Sequence, residues 1–181
     1  PNPDDDTLYR FTFDPNYQVG LVLFDHYLPA VSRQAWSRLQ DPTQSARPPK
    51  GTEGLINDGS VANALYINPQ LQFGQHEPAA EGLTMGVGVL WARSAVPLYD
   101  PYASFENGGT LTGPSGREPA SRALGWEVDA AARYRWNLDF GLSLEIKGEF
   151  GLLFPGAAFE NADGSPAPPQ NLLRARLAAI W

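Results

Sequence analysis

The chain has 181 residues, of which 43% are apolar, with a net charge of −7 and no cysteine. The apolar content is sufficient for one folded domain, and the lack of cysteine excludes disulfides and thiolate metal sites. The acidic balance argues against a nucleic-acid partner. No run approaches the roughly 18 consecutive apolar residues that indicate a transmembrane helix.

Alternation of apolar and polar residues predicts seven β-strands, since successive side chains of a strand point to opposite faces. The clearest alternation is in the sixth segment, where the even positions from Phe140 to Phe154 are apolar except for Gly148. Pro69 lacks a backbone donor and predicts a bulge or break in the third segment. In chain order the predicted strands are Thr7–Phe13, Tyr17–Asp25, Val61–Gln75, Leu83–Arg93, Leu124–Trp136, Phe140–Phe154 and Leu172–Trp181.

The connections between these segments alternate between short turns and long, proline-rich and glycine-rich stretches. The long stretches are His26–Ser60, Ser94–Ala123 and Pro155–Gln170. Outer-membrane β-barrels have short periplasmic turns and longer extracellular loops. The fold class predicted is therefore all-β, an antiparallel up-and-down transmembrane β-barrel. Within the first long loop, Pro29–Leu39 is open to two interpretations, a short helix or a continuation of the strand.

Aromatic residues are spaced as two interfacial girdles. Trp126 and Trp136 share one strand face, and in a tilted strand they would lie about 25 Å apart along the membrane normal, close to the height of the apolar band. Of the predicted interfacial residues, those nearer the long loops are Trp91, Trp126 and Phe154, and those nearer the short turns are Tyr134, Trp136, Phe140 and Trp181.

The last segment, Leu172–Trp181, alternates and ends on an aromatic residue. It resembles the closing strand of an outer-membrane barrel, which implies recognition by the barrel assembly machinery. Seven strands that end in the periplasm would begin outside the cell, whereas complete single-chain bacterial barrels have an even number of strands. Residues 1–181 are therefore expected to be the C-terminal part of one larger barrel domain. A missing N-terminal segment or another chain would complete it.

Charged residues occupy the other face of the last three strands. Cross-strand pairs of opposite charge stiffen a wall, whereas rows of a single sign select ions. Both signs are interleaved, which favours the structural role and leaves solute selectivity as the alternative. The predicted lumen residues are Glu127, Asp129, Arg133, Arg135, Glu145, Lys147, Glu149, Arg174 and Arg176.

The sequence does not predict an enzyme. The only histidines are His26 and His76, and carboxylate pairs such as Glu145 and Glu149 are common on polar strand faces. The chain has no G-x-S-x-G, H-E-x-x-H or P-loop motif. No catalytic residue, cofactor or metal site is expected.

Four stretches resemble alginate-export-type outer-membrane porins and related myxobacterial-type barrels. They are Leu124–Asp129, with its Gly-x-Glu-x-Asp pattern, Leu153–Phe159, with its Phe-Pro-Gly, and the stretches Phe13–Phe24 and Val61–Tyr66. The resemblance implies a porin-like or exporter-like barrel in the outer membrane of a Gram-negative bacterium, in contact with the lipid bilayer and lipopolysaccharide. It would give small solutes or polysaccharide a passive path.

Two other functions remain open from the sequence. One is a structural barrel that acts as a scaffold or partner-binding subunit of a surface complex. The other is a soluble ligand-binding barrel of lipocalin type, in which the apolar faces of the strands would point inward and the charged faces outward.

Overall fold

The computed structural model describes residues 19–44, 63–75, 77, 80–119 and 121–181. Most of them belong to an antiparallel sheet or to the loops that join its strands. The strands are β1 (Ala64–Ile67), β2 (Gln70–Gly74), β3 (Gly82–Ser94), β4 (Ala123–Asn137), β5 (Ser143–Pro155) and β6 (Gln170–Ile180). The helices are α1 (Leu28–Gln40), preceded by a π-helical turn (Leu23–Tyr27), and α2 (Pro101–Glu106). No helix in these ranges is both long enough and apolar enough to span a membrane.

The sheet is an open meander in which β3, β4, β5 and β6 pair in sequence order. Both β1 and β2 pair with β3, so together they form one edge strand that is interrupted at Pro69. The interruption confirms the predicted break. Among the described residues this edge and β6 do not pair with each other, so the sheet does not close on itself.

The predicted antiparallel strands after residue 63 are confirmed, with the third segment split into β1 and β2. The predicted strand Thr7–Phe13 lies outside the described residues. Phe140 was predicted to begin the sixth strand, but it lies in the turn Asp139–Gly141 with a φ of 65°. A positive φ cannot continue a strand, so β5 begins only at Ser143.

The predicted strand Tyr17–Asp25 is wrong over its described part. Val22, Leu23 and Phe24 are buried at consecutive positions, whereas a strand would turn every second side chain away from the core. The chain instead forms a turn and a π-helical turn, in which the amides of His26 and Tyr27 both donate to the Val22 carbonyl, at 3.0 and 2.8 Å. The count of seven strands, and the orientation derived from it, therefore lose their basis.

α1 confirms the short-helix interpretation of Pro29–Leu39. Proline near its first turn fits the helix start, because the amide that proline lacks has no partner within a helix at that position. We call residues 19–40, which comprise the turn, the π-helical turn and α1, the inner segment.

The sheet exposes its apolar side chains and buries more of its polar ones, which is the reverse of the usual arrangement in a soluble β-protein. In β3, Met85, Val87 and Val89 are exposed, whereas Thr84 and Gly88, at alternate positions, are buried. We call the exposed apolar side the outer face and the opposite side the inner face. The outer face continues across β4, β5 and β6 with the exposed residues Val128, Ile146, Phe150, Leu173 and Leu177.

The core lies between the inner segment and the half of the inner face nearer the long loops. Leu23 and Phe24 of the inner segment pack there with Leu90 of β3 and Leu153 of β5, and all four are at most 2% exposed. Burial of such side chains is the main stabilising contribution to a fold. The remaining half of the inner face, nearer the short turns, is left to polar and charged residues.

A bulge at the start of β4 brings Leu124 into this core. The register with β3 shifts opposite Gly125, whose φ is 125° and whose absent Cβ would lie 2.2 Å from the Phe154 carbonyl oxygen. Only glycine fits such a position. Leu124, predicted to share a face with Trp126, is instead buried on the inner side, because the bulge adds one residue to the alternation.

Candidate functional site: the charged inner face of the sheet

The inner face between the core and the short turns forms a trough of about 1080 Å³. Because one cavity is lined by residues of five strands, the sheet curves around it and the inner face is concave. Gly20 and Leu21 of the inner segment lie at the end nearer the long loops. The polar residues that β2 to β6 contribute include Gln72, Thr84, Arg133, Glu149 and Arg176.

The predicted lumen residues lie on this inner face, at three levels. Glu127 is buried in the core, and Arg135 lies near the short turn, where it donates to Ser143 Oγ at 3.1 Å. The seven at the level between them line the trough: Asp129, Arg133, Glu145, Lys147, Glu149, Arg174 and Arg176.

Two glutamates organise the charges of the trough. Glu149 accepts from Lys147 Nζ at 2.7 Å and from Arg174 Nε at 2.8 Å. Glu145 lies 3.7 Å from an Arg133 nitrogen and 3.9 Å from an Arg176 nitrogen. Each carboxylate is therefore shared between two cations, an arrangement that links β4, β5 and β6 across their registers.

The acids and the cations differ in their access to the cavity. The side chains of Glu145 and Glu149 are 10% exposed, whereas those of Arg174 and Arg176 are 40% and 64% exposed. The carboxylates thus lie against the wall, and the guanidinium groups project over them. A solute in the trough would meet cationic groups first, although nearly every charge is paired.

Glu127 holds the inner segment on the sheet. Its carboxylate accepts hydrogen bonds from three successive backbone amides, those of Leu21, Val22 (2.6 Å) and Leu23 (2.7 Å). These amides lie just before or at the start of the π-helical turn, where amides have no partner within the helix, and the start of a helix attracts negative charge. The buried carboxylate is stabilised by these bonds, since no cation within the described ranges forms an ion pair with it.

The predicted interfacial aromatics occupy the outer face in two groups. Trp91, Trp126 and Phe154 are direct register partners across β3, β4 and β5, so they form one row near the long loops. At the opposite end of β4, the rings of Tyr134 and Trp136 lie with their centroids 4.5 Å apart. Apolar side chains fill the outer face between the two groups.

Two further predicted aromatics lie beyond the strands at the short-turn end. Phe140 projects from the turn between β4 and β5, and Trp181 follows β6. Their side chains are almost fully exposed. Both extend the aromatic group at the short-turn end rather than packing on the sheet.

Sequence patterns alone did not identify the residues that close the trough. Gly20 and Leu21 lie in the segment that was predicted as a strand, and Glu127 was grouped with the solvated lumen charges. The signal that was available is the spacing of Val19, Val22 and Leu23, which is helical rather than alternating. No group of His, Asp or Glu side chains in the described part of the chain is arranged to hold a metal ion.

Comparison of this chain with protein-family models, with curated proteins and with solved structures gave no match.

Proposed function

We propose that this chain forms part of the wall of an outer-membrane β-barrel, porin-like or exporter-like, that offers small solutes or polysaccharide a passive path. The observation that supports this proposal best is the inversion of the sheet, with an apolar outer face and a charged concave inner face. In a bilayer the outer face would contact lipid, and the aromatic groups at its two ends would lie at the interfaces.

The soluble alternative requires the reverse arrangement. A lipocalin-type barrel binds its ligand against inward apolar side chains, but here Val89, Val128 and Leu173 are exposed on the outer face, whereas Arg174 lines the cavity. Contiguous exposed apolar surface is rare on soluble monomers and indicates an interaction surface. A lipid phase covers such a surface without any further protein.

The backbone of the sheet edges also bears on the proposal. Unpaired amides and carbonyls at β6 and at β1–β2 would be costly in lipid, since no water is present there to bond them. The proposed barrel therefore requires additional strands that pair with these two edges. The inner face already curves in the direction that such closure needs.

Adjacent alanines in the middle of β4 provide a matched test. Ala130 lies on the outer face between Val87 and Phe150, and Ala131 lies on the inner face between Gly86 and Glu149. We expect Ala130→Arg to destabilise the folded protein in lipid by about 2–4 kcal/mol, as arginine does near the bilayer midplane.

Ala131→Arg is the control, because it adds the same side chain one residue away, beside a carboxylate in the aqueous trough. Urea unfolding of both variants in phospholipid vesicles measures the difference. Equal stability of the two variants, or release of the unmodified protein into buffer without detergent, would rule out the membrane assignment.

A second candidate function, a scaffold barrel with a plugged lumen, is favoured by one observation. The inner segment lies across the concave face and occupies space that an open pore would leave to water. In that case the long loops would bind partners and the barrel would not conduct. Single-channel recordings of the protein in planar bilayers separate the two functions, since a scaffold shows no conductance steps.

A further inference from the structure

The inner segment spans the concave face from the β1 edge of the sheet to β5. Phe24 meets Tyr66 of β1 edge-on, with ring centroids 6.5 Å apart, and Tyr27 meets Phe159 after β5 at 4.9 Å. Leu172 of β6 packs against the same buried cluster. A segment that contacts β1, β3, β4 and β5 crosses the concave face instead of lining a single strand.

Besides its apolar contacts, the segment is attached through its backbone amides, mainly to Glu127 and at Leu21 also to Asp129. Leu90 and Leu153 are the register partners of Glu127 and are fully buried. The carboxylate therefore has little access to water. The amides of residues 21–23 donate to it, and the neighbouring Asp129 carboxyl is also hydrogen-bonded to it. If the segment moved away, Glu127 would lose its bonds to these amides together while water entered the core.

The surface around Glu127 is shaped for close approach of the inner segment. Gly20 has a φ of +70°, and a Cβ there would lie 2.9 Å from Glu127 Oε1. Gly151 on β5 leaves room on the other side, since a Cβ there would lie 2.7 Å from Val22 Cγ2. Two glycines thus allow the backbone to reach the carboxylate.

We propose that the inner segment is a plug that closes the lumen at the long-loop end, and that Glu127 is the positioning residue that clasps it to the wall. The plug rests on the proposed function, because it needs a lumen to close. Between the charged trough and the long loops, the plug places apolar side chains where a conducting path would need water. Release of the clasp opens that path.

The first test is Glu127→Gln, which keeps the shape of the side chain but removes its charge and presents a donor to the three amides. Each charge-assisted hydrogen bond lost is expected to raise the open population about tenfold. Full-chain protein in planar bilayers should then show more frequent and larger conductance steps than the unmodified protein. Glu81→Gln is the matched control, because it removes the same charge from an exposed side chain just before β3, outside the residues that line the trough, and it should leave the conductance unchanged.

A disulfide lock tests the plug by a covalent bond between the inner segment and β5. The chain has no cysteine, so Val22→Cys with Gly151→Cys creates one defined pair. The Val22 methyl that a sulfur would replace lies 2.7 Å from the ideal Cβ of residue 151, close enough for a disulfide to form with little movement. We expect the oxidised protein to stay closed and the reduced protein to regain the unmodified conductance. Adding the oxidised cysteine pair to the Glu127→Gln variant should suppress the increase in conductance that this variant shows alone.

Amide hydrogen exchange at residues 21–23 separates failure of the plug from failure of the proposed function. If the protein does not float with vesicles, the membrane assignment fails, and faster exchange in Glu127→Gln still supports the clasp. If the protein inserts, equal conductance of the oxidised and reduced lock, with unchanged exchange in Glu127→Gln, overturns the plug.

Discussion

At the residue scale, Gly20 and Glu127 illustrate how two positions that are distant in sequence depend on each other. The carboxylate accepts its hydrogen bonds across 104 to 106 residues, and the glycine has no Cβ that would displace it. The alternation of apolar and polar residues correctly places Glu127 on the polar face of β4. It could not show that this acid lies in the core, because its partners belong to a segment whose pattern resembles a strand.

Tyr27 provides a pH-dependent test of how the inner segment docks. Burial raises the pKa of the Tyr27 phenol above its ordinary value of 10.0, so the folded state keeps the proton longer than the unfolded state. The contribution to stability is complete below the ordinary value and is lost as the pH rises through the folded value.

We expect the unmodified protein to lose stability more steeply than Tyr27→Phe does as the pH rises from about 10 upward. Thermal unfolding in detergent across this range measures it. Tyr99→Phe, at an exposed position, controls for the other tyrosines. Parallel pH profiles for the unmodified protein and Tyr27→Phe would contradict the expectation.

At the element scale, the strands could be predicted and the inner segment could not. β3 to β6 each carry a long alternation that faces two different environments, and this fixes both the element and its faces. The fold of residues 19–27 is set instead by tertiary contacts, since Leu23 and Phe24 are both buried. The bulge at Gly125 could not be predicted either, because a glycine in the sequence does not by itself indicate which strand contains the extra residue.

α1 is expected to depend on a single leucine for its position. Leu39 is fully buried, α1 packs against α2, and the Arg38 guanidinium lies 5.7 Å from the centre of the Tyr102 ring. Leu39→Ala should destabilise the docking of α1 by about 2–5 kcal/mol through the cavity that it leaves. Amide exchange along α1 measures this loss. Gln34→Ala, on the exposed side of the helix, should leave exchange unchanged, and equal effects would show that Leu39 does not anchor α1.

At the scale of the whole molecule, the two faces of the sheet differ in chemistry. The charged side chains lie on the concave side and the apolar side chains on the convex side. The preference of each side chain for water or for an apolar surrounding therefore decides which face of the sheet points where. Sequence could predict this division, because strand alternation records it directly. Closure could not be predicted in the same way, since it depends on which strands pair with the edges at β1–β2 and β6.

Tryptophan fluorescence can test the orientation of the whole sheet. Four of the five tryptophans lie on or beside the outer face, at positions 91, 126, 136 and 181, and Trp36 lies on α1. In vesicles, lipids brominated near the headgroup should quench single-tryptophan variants that retain Trp126 or Trp136 more strongly than lipids brominated near the chain ends. A variant that retains only Trp36 should be nearly insensitive to both. Equal quenching of Trp36 and Trp126 would contradict the orientation.

The long sequence separation between Glu127 and its amide partners also has a consequence for the order of folding. The inner segment is synthesised well before β4 and β5, yet its core contacts are made with Leu90, Leu124 and Leu153 on three later strands. Contacts so distant in sequence form slowly, because a long loop must close before they contribute. The buried side chains of residues 19–28 therefore remain uncovered until the sheet has formed, so this segment, although it is made before the sheet, becomes ordered after it.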